Sequence, residues 1–356
     1  MGKTESVSKE VFPPETYEIP TNLKTFLREQ GVNNISFPSL EEVKNALTTE
    51  KHRILMLEED LLIPLPRLKG GKPLKHLNLI GIDGSSFSLR GHPFRMIVAR
   101  SAVFSFSQRV KESLNISTAY KGIIRLVFPD RTGRDLESEL RLKEISTLAY
   151  IESKTAVEVA DNVGPSNIDI MYRDGPLYFR NGFSFSLHSV KYLSDLGIPV
   201  IGVVKNSFSR SIMSALNFEG FLDSDFFSYY LQPGYRSSFF LLRDLRVNGK
   251  RKDLEKNLRQ VFFYFITPKG ILLKVEIPYW LYIEYGPKLI VKLVWASILI
   301  GEGKNVYMLS RADKIARFSK YERRAFSREL KRCSQDLGFN SPITYNQMRW
   351  GGFSAK

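Results

Sequence analysis

One apolar stretch that ends in an acidic residue constrains this chain more than any other feature. Leu79-Ile80-Gly81-Ile82 leads into Asp83, and Gly84-Ser85-Ser86 follows before a second apolar run. This pattern predicts a buried strand that carries Asp83 to its carboxyl end, followed by a turn into a neighbouring strand. In an α/β sheet, ligands bind in the crevice outside the carboxyl ends of the strands. We therefore expect Asp83 to face a functional cleft.

A second stretch has the same organisation. The segment from Ile168 to Arg173 is largely apolar and leads into Asp174-Gly175-Pro176. A lone Asp-Gly pair is more often only a turn, but two strand-Asp-Gly units suggest adjacent strands that aim two carboxylates at one point. Such a cluster binds divalent metal ions through oxygen, as phosphoryl-transfer nucleases require.

Composition narrows the classes of function. The chain has 356 residues and a formal net charge of +15, which favours a polyanionic partner, nucleic acid before an anionic membrane surface. A single cysteine, Cys333, excludes a disulfide framework and a thiolate metal site within one chain. The four histidines are scattered, which argues against zinc. The most apolar run, Leu289 to Ile300, contains Lys292 and is too short to span a bilayer. We expect a cytoplasmic protein with no membrane partner.

The order of the elements predicts the fold class. A strand, a helix and a strand follow one another between Ile168 and Val204, which indicates an α/β core. Pro-rich and Gly-rich segments near residues 64–73 break the chain. The predicted organisation is a mostly helical N-terminal extension over 1–74, a main domain over 75–335 and an irregular C-terminal tail over 336–356.

Three further residues extend the candidate site. The helix predicted from Asp135 to Val159 places Glu144 beside its buried stripe, where it could project toward a cleft. Lys205 ends a buried strand and is expected to contact the scissile phosphate. Asp313 opens a basic helix over 312–337. Simpler explanations remain for each: a solvated helix face for Glu144, a loop lysine for Lys205 and charge complementarity with the helix N-terminus for Asp313. The helix carries five acidic residues: Glu137, Glu139, Glu144, Glu152 and Glu158.

Two basic segments and one aromatic segment are candidates for contact with nucleic acid. The aromatic residues of 226–240 could stack on unpaired bases or form part of the core. The basic residues expected to guide DNA are Arg246, Lys250, Arg251, Arg317, Lys320 and Arg324.

Several short motifs, taken in order, resemble the NurA nuclease family over about residues 75–335. The motifs are Ile82-Asp83-Gly84-Ser85-Ser86, an acidic helix, Arg173-Asp174-Gly175-Pro176-Leu177, Gly202-Val203-Val204-Lys205 and Tyr307-Met308-Leu309-Ser310-Arg311-Ala312-Asp313. The resemblance implies a ribonuclease H-like mixed sheet flanked by helices. It also implies a manganese-dependent (or magnesium-dependent) 5′-to-3′ exonuclease and single-strand endonuclease. Members of that family form a ring-shaped homodimer and act with the hexameric HerA ATPase, a translocase, in archaeal DNA-end resection and double-strand-break repair.

The resemblance also assigns roles to residues. Asp83 and Asp174 match the two metal ligands on strands, and Glu144 matches the helical glutamate, with Glu139 as the alternative. The late family motif usually carries a Tyr-Pro pair and a histidine after alanine. In this chain the histidine position is Asp313, and the expected tyrosine falls on Asn305 or Tyr307. An aspartate there can still hold a second ion or position the attacking water.

The residues therefore favour a metal-dependent deoxyribonuclease and leave two rival functions. One is a catalytically weakened DNA-binding or scaffold protein on the same fold, in which the late motif has decayed. The other is an interaction subunit whose apolar and aromatic surfaces dock a partner ATPase. Loss of cleavage in Asp83→Ala with DNA binding retained would support the nuclease over the first rival. Salt-dependent DNA binding by the isolated chain would count against the second.

Overall fold

The computed structural model describes most of the chain beyond residue 36. The described ranges are 37–48, 53–68, 71–90, 94–107, 117–128, 136–179, 182–218, 220–247, 250–336, 338 and 344–346. The helices are α1 (Leu40–Thr48), α2 (Leu136–Val163), α3 (Phe183–Asp195), α4 (Ser211–Ala215), α5 (Asp223–Tyr230), α6 (Tyr279–Leu299), α7 (Tyr307–Ala316) and α8 (Lys320–Asp336). The strands are β1 (Ile54–Met56), β2 (Leu62–Pro64), β3 (Asn78–Arg90), β4 (Arg95–Ser107), β5 (Ser117–Val127), β6 (Ile170–Asp174), β7 (Val200–Val204), β8 (Tyr235–Ser237), β9 (Phe240–Leu242), β10 (Asp244–Val247), β11 (Lys250–Asp253), β12 (Gln260–Ile266), β13 (Leu272–Pro278) and β14 (Thr344–Asn346).

One large mixed sheet organises the described residues. Its main path runs β1-β9-β12-β13-β7-β6-β3-β4-β5, and β2, β8 and β14 pair at its sides. Strands β3, β6 and β7 are parallel to one another, whereas their outer neighbours pair antiparallel. The parallel trio lies near the middle of the sheet, where both faces are covered. This architecture confirms the expected α/β class.

Helices cover both faces of the sheet, and the strand sequences explain why. Residues of β6 and β7 alternate between two cores: Tyr172 and Val203 pack with α6 and α7, whereas Met171 and Val200 pack with α2 and α3. Strands buried on both faces read as continuous apolar runs, as Val200–Val204 does. No helix among the described residues is both long and apolar enough to cross a membrane.

The strand that carries Asp83 is longer than the sequence suggested. β3 pairs with β4 in continuous register from Asn78–Ser107 to Arg90–Arg95, so Gly84-Ser85-Ser86 lies inside a strand and forms no turn. The expectation that Asp83 ends its strand is therefore corrected. The alternation of Phe87 and Leu89 with serines continues the strand pattern past the glycine. Asp83 nevertheless lies at the level where the neighbouring strand β6 ends.

The expected division near residue 74 is not where the described chain divides. β1 pairs with β9, and β2 pairs with β8, so residues 54–64 belong to the main sheet. Within the described residues, one compact unit begins at Leu40. At the other end, part of the tail forms β14 and pairs with β3, rather than being irregular throughout. Residues 1–36, which carry the start of the predicted extension, lie outside the described ranges.

The basic segment over 312–337 is two helices rather than one. α7 ends at Ala316, and Arg317 has an extended backbone, with φ −61° and ψ 129°. Ser319 then starts α8 through a capping box: its hydroxyl accepts a hydrogen bond from the N–H of Glu322 at 3.1 Å, and its N–H donates to the Glu322 carboxylate at 2.7 Å. The Ser-x-x-Glu pattern therefore restarts the helix in a new direction.

The aromatic segment is mostly core. Phe226, Phe227, Phe239 and Phe240 are fully buried, whereas Tyr229 is exposed. Burial of the phenylalanines removes them as platforms for base stacking. The phenylalanines of 226–240 therefore reflect packing around β9 and β12, whereas Tyr229 and Tyr235 stay exposed.

Candidate active site

The parallel pairing of β3 and β6 brings the two strand aspartates together. Ile82 is the register partner of Arg173, so the next residue along each strand places Asp83 beside Asp174. Side chains alternate between faces with a period of two, so Asp83 shares the face of Gly81 and Asp174 the face of Tyr172. That is the face covered by α6 and α7. The prediction that two strands aim carboxylates at one place agrees with this geometry.

Helix α7 approaches the same place because Gly81 has no side chain. A Cβ atom on Gly81 would lie 2.5 Å from the carbonyl carbon of Met308, closer than any real contact. The helix therefore rests directly on β3. Asp313 follows Met308 by five residues, about 7.5 Å along the helix axis, and its charge is one of those that raise the pKa of Asp83.

A glutamate that sequence reasoning did not select enters from the long helix α2. Glu152 is buried, and a Cβ atom on Gly84 would lie 2.5 Å from its Oε1 atom. Only glycine at position 84 leaves room for this carboxylate beside β3. The Oε2 atom of Glu152 is buried without a hydrogen-bond partner among the described residues.

Burial sets the electrostatics of Glu152. Its pKa is raised from 4.5 to about 8, mainly by desolvation and also by the neighbouring Asp174 carboxylate. The Arg173 guanidinium, the backbone N–H of Gly84 and the Lys205 ammonium act in the opposite direction. A glutamate held this way remains protonated at neutral pH until a cation compensates its charge.

The pKa of Asp83 is also strongly perturbed. Burial raises its pKa well above the ordinary value, and repulsion from Asp174 adds to this effect. Glu152 and Asp313 raise the pKa as well, and only Lys205 lowers it among the main influences. Three other acidic side chains thus act on the buried Asp83 carboxylate. Clusters of this kind mark sites at which a cation or a proton must be bound.

Lys205 lies where the sequence predicted it, beyond the end of β7. Its Nζ atom lies 2.6 Å from Oδ2 of Asp174, and both side chains are partly buried. Burial alone would lower the pKa of Lys205, yet this pKa is raised, because the carboxylates of Asp174 and Asp83 outweigh desolvation. The ammonium therefore remains charged beside the two strand aspartates.

Arg173 is a buried cation whose charge acts on the site. Its side chain is fully buried, and its guanidinium donates to Ser189 and Ser153 at 3.3 Å each. Burial lowers the pKa of Arg173, and the charge of Glu152 raises it in return. This buried cation stabilises the ionised form of Glu152.

The two glutamates favoured by the sequence lie elsewhere on α2. Glu144 is fully buried and accepts a hydrogen bond from the Ser86 hydroxyl at 2.6 Å. It precedes Glu152 by eight residues, about 12 Å along the helix. Glu139 pairs with Lys143 at 2.7 Å, one further turn away. The structure therefore groups Asp83, Asp174, Lys205 and Asp313 with Glu152, and leaves Glu144 and Glu139 apart from them.

The donor set suits a hard divalent cation. Asp83, Glu152 and Asp174 offer only oxygen atoms, which Mg²⁺ and Mn²⁺ prefer. The unpartnered Oε2 of Glu152 and the mutual repulsion of these carboxylates are features that such an ion would satisfy. As placed, no three Asp, Glu, His or Cys side chains among the described residues form a ready-made metal group. Asp174 contacts the Lys205 ammonium instead.

The residues expected to guide DNA divide into two groups. Lys320 and Arg324 lie exposed on α8, and Arg317 lies exposed at the junction before it. Arg246 and Arg251 are register partners in the separate β10–β11 ribbon, and Lys250 begins the second strand of that ribbon. The side chains of the ribbon residues lie outside the described part of the structure. Within the first group, Arg317 pairs with Asp313, the last site residue along the chain.

The family model for the NurA domain matches residues 77–318, most of the chain and all five grouped residues. The chain belongs to the NurA domain family. The motifs that carried the resemblance thus identified the family correctly, and family membership supports a nuclease. A comparison with curated protein sequences finds no match.

A solved structure of a NurA nuclease has a similar fold, and two further structures show weaker similarity. The NurA nuclease from Sulfolobus solfataricus is similar to this chain with a TM-score of 0.52 and 12% sequence identity, over 91% of this chain and 100% of that one. A NurA crystallised with manganese is similar with a TM-score of 0.49 and 7% identity, over 89% of this chain and 97% of that one. Human ENDOV is similar with a TM-score of 0.34 and 14% sequence identity, over 70% of this chain and 86% of that one.

Proposed function

We propose that this protein is a metal-dependent deoxyribonuclease. The observation that carries the proposal is the pair Asp83 and Asp174, held side by side by parallel strands and joined by Glu152. Membership of the NurA family supports the same reaction class. In this proposal the three carboxylates hold a divalent metal ion, Mn²⁺ or Mg²⁺, which supplies charge neutralisation and an activated water when bound.

The protein's own groups have separate roles in phosphodiester hydrolysis. The Lys205 ammonium, held by Asp174 at 2.6 Å, offers positive charge to a non-bridging oxygen of the scissile phosphate. The charge of Arg173 favours the ionised form of Glu152. Exposed Lys320 and Arg324 are expected to contact the DNA backbone, which orients the strand without reading its sequence.

The direct test is cleavage of end-labelled single-stranded DNA with Mn²⁺, with Mg²⁺ and with chelator. Wild type and Asp174→Ala are compared in parallel, with Asp60→Ala as the matched control because Asp60 is a solvent-exposed aspartate. Metal-dependent products that disappear only in Asp174→Ala would support the proposal. Tight DNA binding without products would instead favour the weakened scaffold protein.

The family resemblance extends the proposal to a cellular role. We infer 5′-to-3′ exonuclease and single-strand endonuclease activity, acting as a homodimer with a HerA-type hexameric translocase in DNA-end resection and repair. End-labelling at either terminus would determine polarity. Light scattering of the purified chain, alone and mixed with such a hexamer, would test both assembly states. A monomer that does not associate with the hexamer would contradict this part.

A further inference from the structure

The carboxylate of Asp313, at the position of the family histidine, pairs with an arginine. Oδ1 of Asp313 accepts a hydrogen bond from Nε of Arg317 at 3.1 Å, and Oδ2 accepts one from Nη2 at 2.5 Å. This is a bidentate pair, the strongest geometry available to an arginine and a carboxylate. Both oxygen atoms that could bind a metal ion therefore face a guanidinium. That arrangement disagrees with Asp313 as a metal ligand.

The pair is asymmetric in its exposure. The side chain of Asp313 is 29% exposed and that of Arg317 is 69% exposed, so the carboxylate lies inward and the guanidinium faces solvent. Arginine has five N–H donors, and Asp313 engages only those of Nε and Nη2. Among the described residues no second acceptor contacts this guanidinium. The remaining donors are accessible to a substrate.

A second arginine fixes the backbone at this point. Arg100, on β4, donates from Nε to the carbonyl oxygen of Ala316 at 2.8 Å and from Nη2 to that of Arg317. Its Nη1 atom contacts Glu322 at 2.6 Å, and its guanidinium lies 4.3 Å from the ring centroid of Phe318. The junction between α7 and α8 is therefore held to the sheet. Arg317 is anchored through both its backbone and its side chain.

Arg317 also lies within the electrostatic field of the site. Its pKa is raised mainly by the hydrogen bond to Asp313, and the carboxylate of Asp83 raises it as well. An ordinary exposed pair on a helix contributes little to stability and has no such neighbour. The Glu329–Arg332 pair on α8, at 2.6 Å, is an example of the ordinary kind in this chain.

We propose that Arg317 is a catalytic residue that contacts the scissile phosphate, and that Asp313 is a positioning residue that orients it. This inference rests on the proposed nuclease function. During hydrolysis a water oxygen bonds to phosphorus, and the bond from phosphorus to the leaving sugar oxygen breaks. The water loses a proton to solvent, and the leaving oxygen gains one. Arg317 transfers no proton; it stabilises negative charge on the non-bridging oxygens.

The first measurement tests whether Asp313 binds metal. This measurement does not depend on catalytic activity. Stabilisation by Mn²⁺ is followed by thermal unfolding in wild type, Asp83→Ala, Asp313→Ala and Arg317→Ala, because a ligand that binds the folded state raises its midpoint. Unfolding without metal verifies that each variant folds. We expect Asp313→Ala and Arg317→Ala to reach half of the maximal stabilisation at the same Mn²⁺ concentration as wild type, within twofold. We expect Asp83→Ala to need at least about tenfold more Mn²⁺ for the same fraction of stabilisation. A tenfold weaker response in Asp313→Ala would overturn the proposal.

The second measurement uses steady-state cleavage kinetics at saturating Mn²⁺. Loss of one charge-stabilising donor typically costs about 10²-fold in rate, so Arg317→Ala should lower kcat about 100-fold with little change in KM. Asp313→Ala should lower kcat about tenfold, because Arg317 remains but is no longer oriented. The double variant should match Arg317→Ala, because both changes remove one interaction. Arg332→Ala should behave as wild type.

The results separate failure of this inference from failure of the proposed function. Multiplicative losses in the double variant, or an Arg317→Ala rate within threefold of wild type, would refute the Asp313–Arg317 pair while leaving the nuclease intact. If wild type cleaves no DNA, the proposed function fails. The manganese titration still decides in that case, because a metal-binding Asp313 would refute the positioning role.

Discussion

Replacement of Glu152 by glutamine should abolish cleavage and stabilise the metal-free protein. The folded protein holds this carboxyl group at a pKa of about 8, against an ordinary value of 4.5, and burial is the main cause. Unfolding releases the group to its ordinary value, so the unfolded chain ionises first as the pH rises. Stability from this residue is therefore fully present below pH 4.5 and is lost as the pH rises toward 8.

The magnitude follows from the same pKa. At pH 7 the interval above 4.5 is about 2.5 pH units, and each unit is worth about 1.36 kcal/mol, so Glu152 costs up to about 3 kcal/mol of stability. Glutamine cannot ionise and removes this cost. In a domain of this size we expect Glu152→Gln to raise the melting temperature by roughly 5 °C in chelator at pH 7. Little difference from wild type should remain near pH 4.5.

The comparison variant is Glu144→Gln on the same helix. Glu144 is equally buried but bonds to Ser86, about 12 Å from Glu152 along the axis. In Mn²⁺ we expect Glu152→Gln to lose at least about 100-fold in kcat/KM, which corresponds to about 2.7 kcal/mol. Glu144→Gln should retain cleavage. Calorimetry between pH 4.5 and 8 and a cleavage assay on both variants provide the test.

Two results would refute this reasoning about Glu152. If Glu152→Gln is less stable than wild type at pH 7 in chelator, its burial does not carry the cost inferred from the structure. If Glu144→Gln loses cleavage while Glu152→Gln keeps it, the helical glutamate of the site is the one that the sequence motif indicated. Each of these two results would refute the reasoning by itself.

Three further predictions test other parts of the structure. Gly81→Ala should destabilise the fold by about 2–3 kcal/mol in urea unfolding, because the new Cβ meets the backbone of α7 at 2.5 Å. Gly84→Ala should change stability less but impair cleavage, because its Cβ meets the flexible side chain of Glu152; equal effects of the two changes would contradict this distinction. The double variant Lys320→Ala and Arg324→Ala should reduce the dependence of log affinity for single-stranded DNA on log salt by about 1.4, measured by fluorescence anisotropy, and an unchanged slope would exclude both from the binding surface.

The parts of the site that lie on strands could be predicted from local sequence. Asp83, Asp174 and Lys205 each follow an apolar run, and in a parallel arrangement such residues meet at one edge. The local pattern therefore contained the information needed to group them. Only the length of β3 was misjudged, because Gly84 with two serines has the composition of a turn. Its actual role, to admit a carboxylate, depends on another element.

The helical carboxylate could not be chosen from sequence alone. α2 spans 28 residues, and its position against the sheet decides which acidic side chain reaches the cluster. Local periodicity identifies the buried stripe but not its alignment along β3. One signal was present: Leu148, Glu152 and Ala156 are spaced four residues apart, so a carboxylate interrupts an apolar row beside a glycine-bearing strand. The packing of Glu144 against Ser86 shows that a buried helical glutamate need not belong to the site.

The glycines on either side of Asp83 explain how a site can form in the middle of a strand. Gly81 and Gly84 are three residues apart, so they point to opposite faces of β3. Gly81 admits the backbone of α7 on one face, and Gly84 admits Glu152 on the other. Asp83 lies between them and receives charges from both layers. A strand end is therefore unnecessary here, because two missing side chains create the access that the end of a strand would otherwise provide.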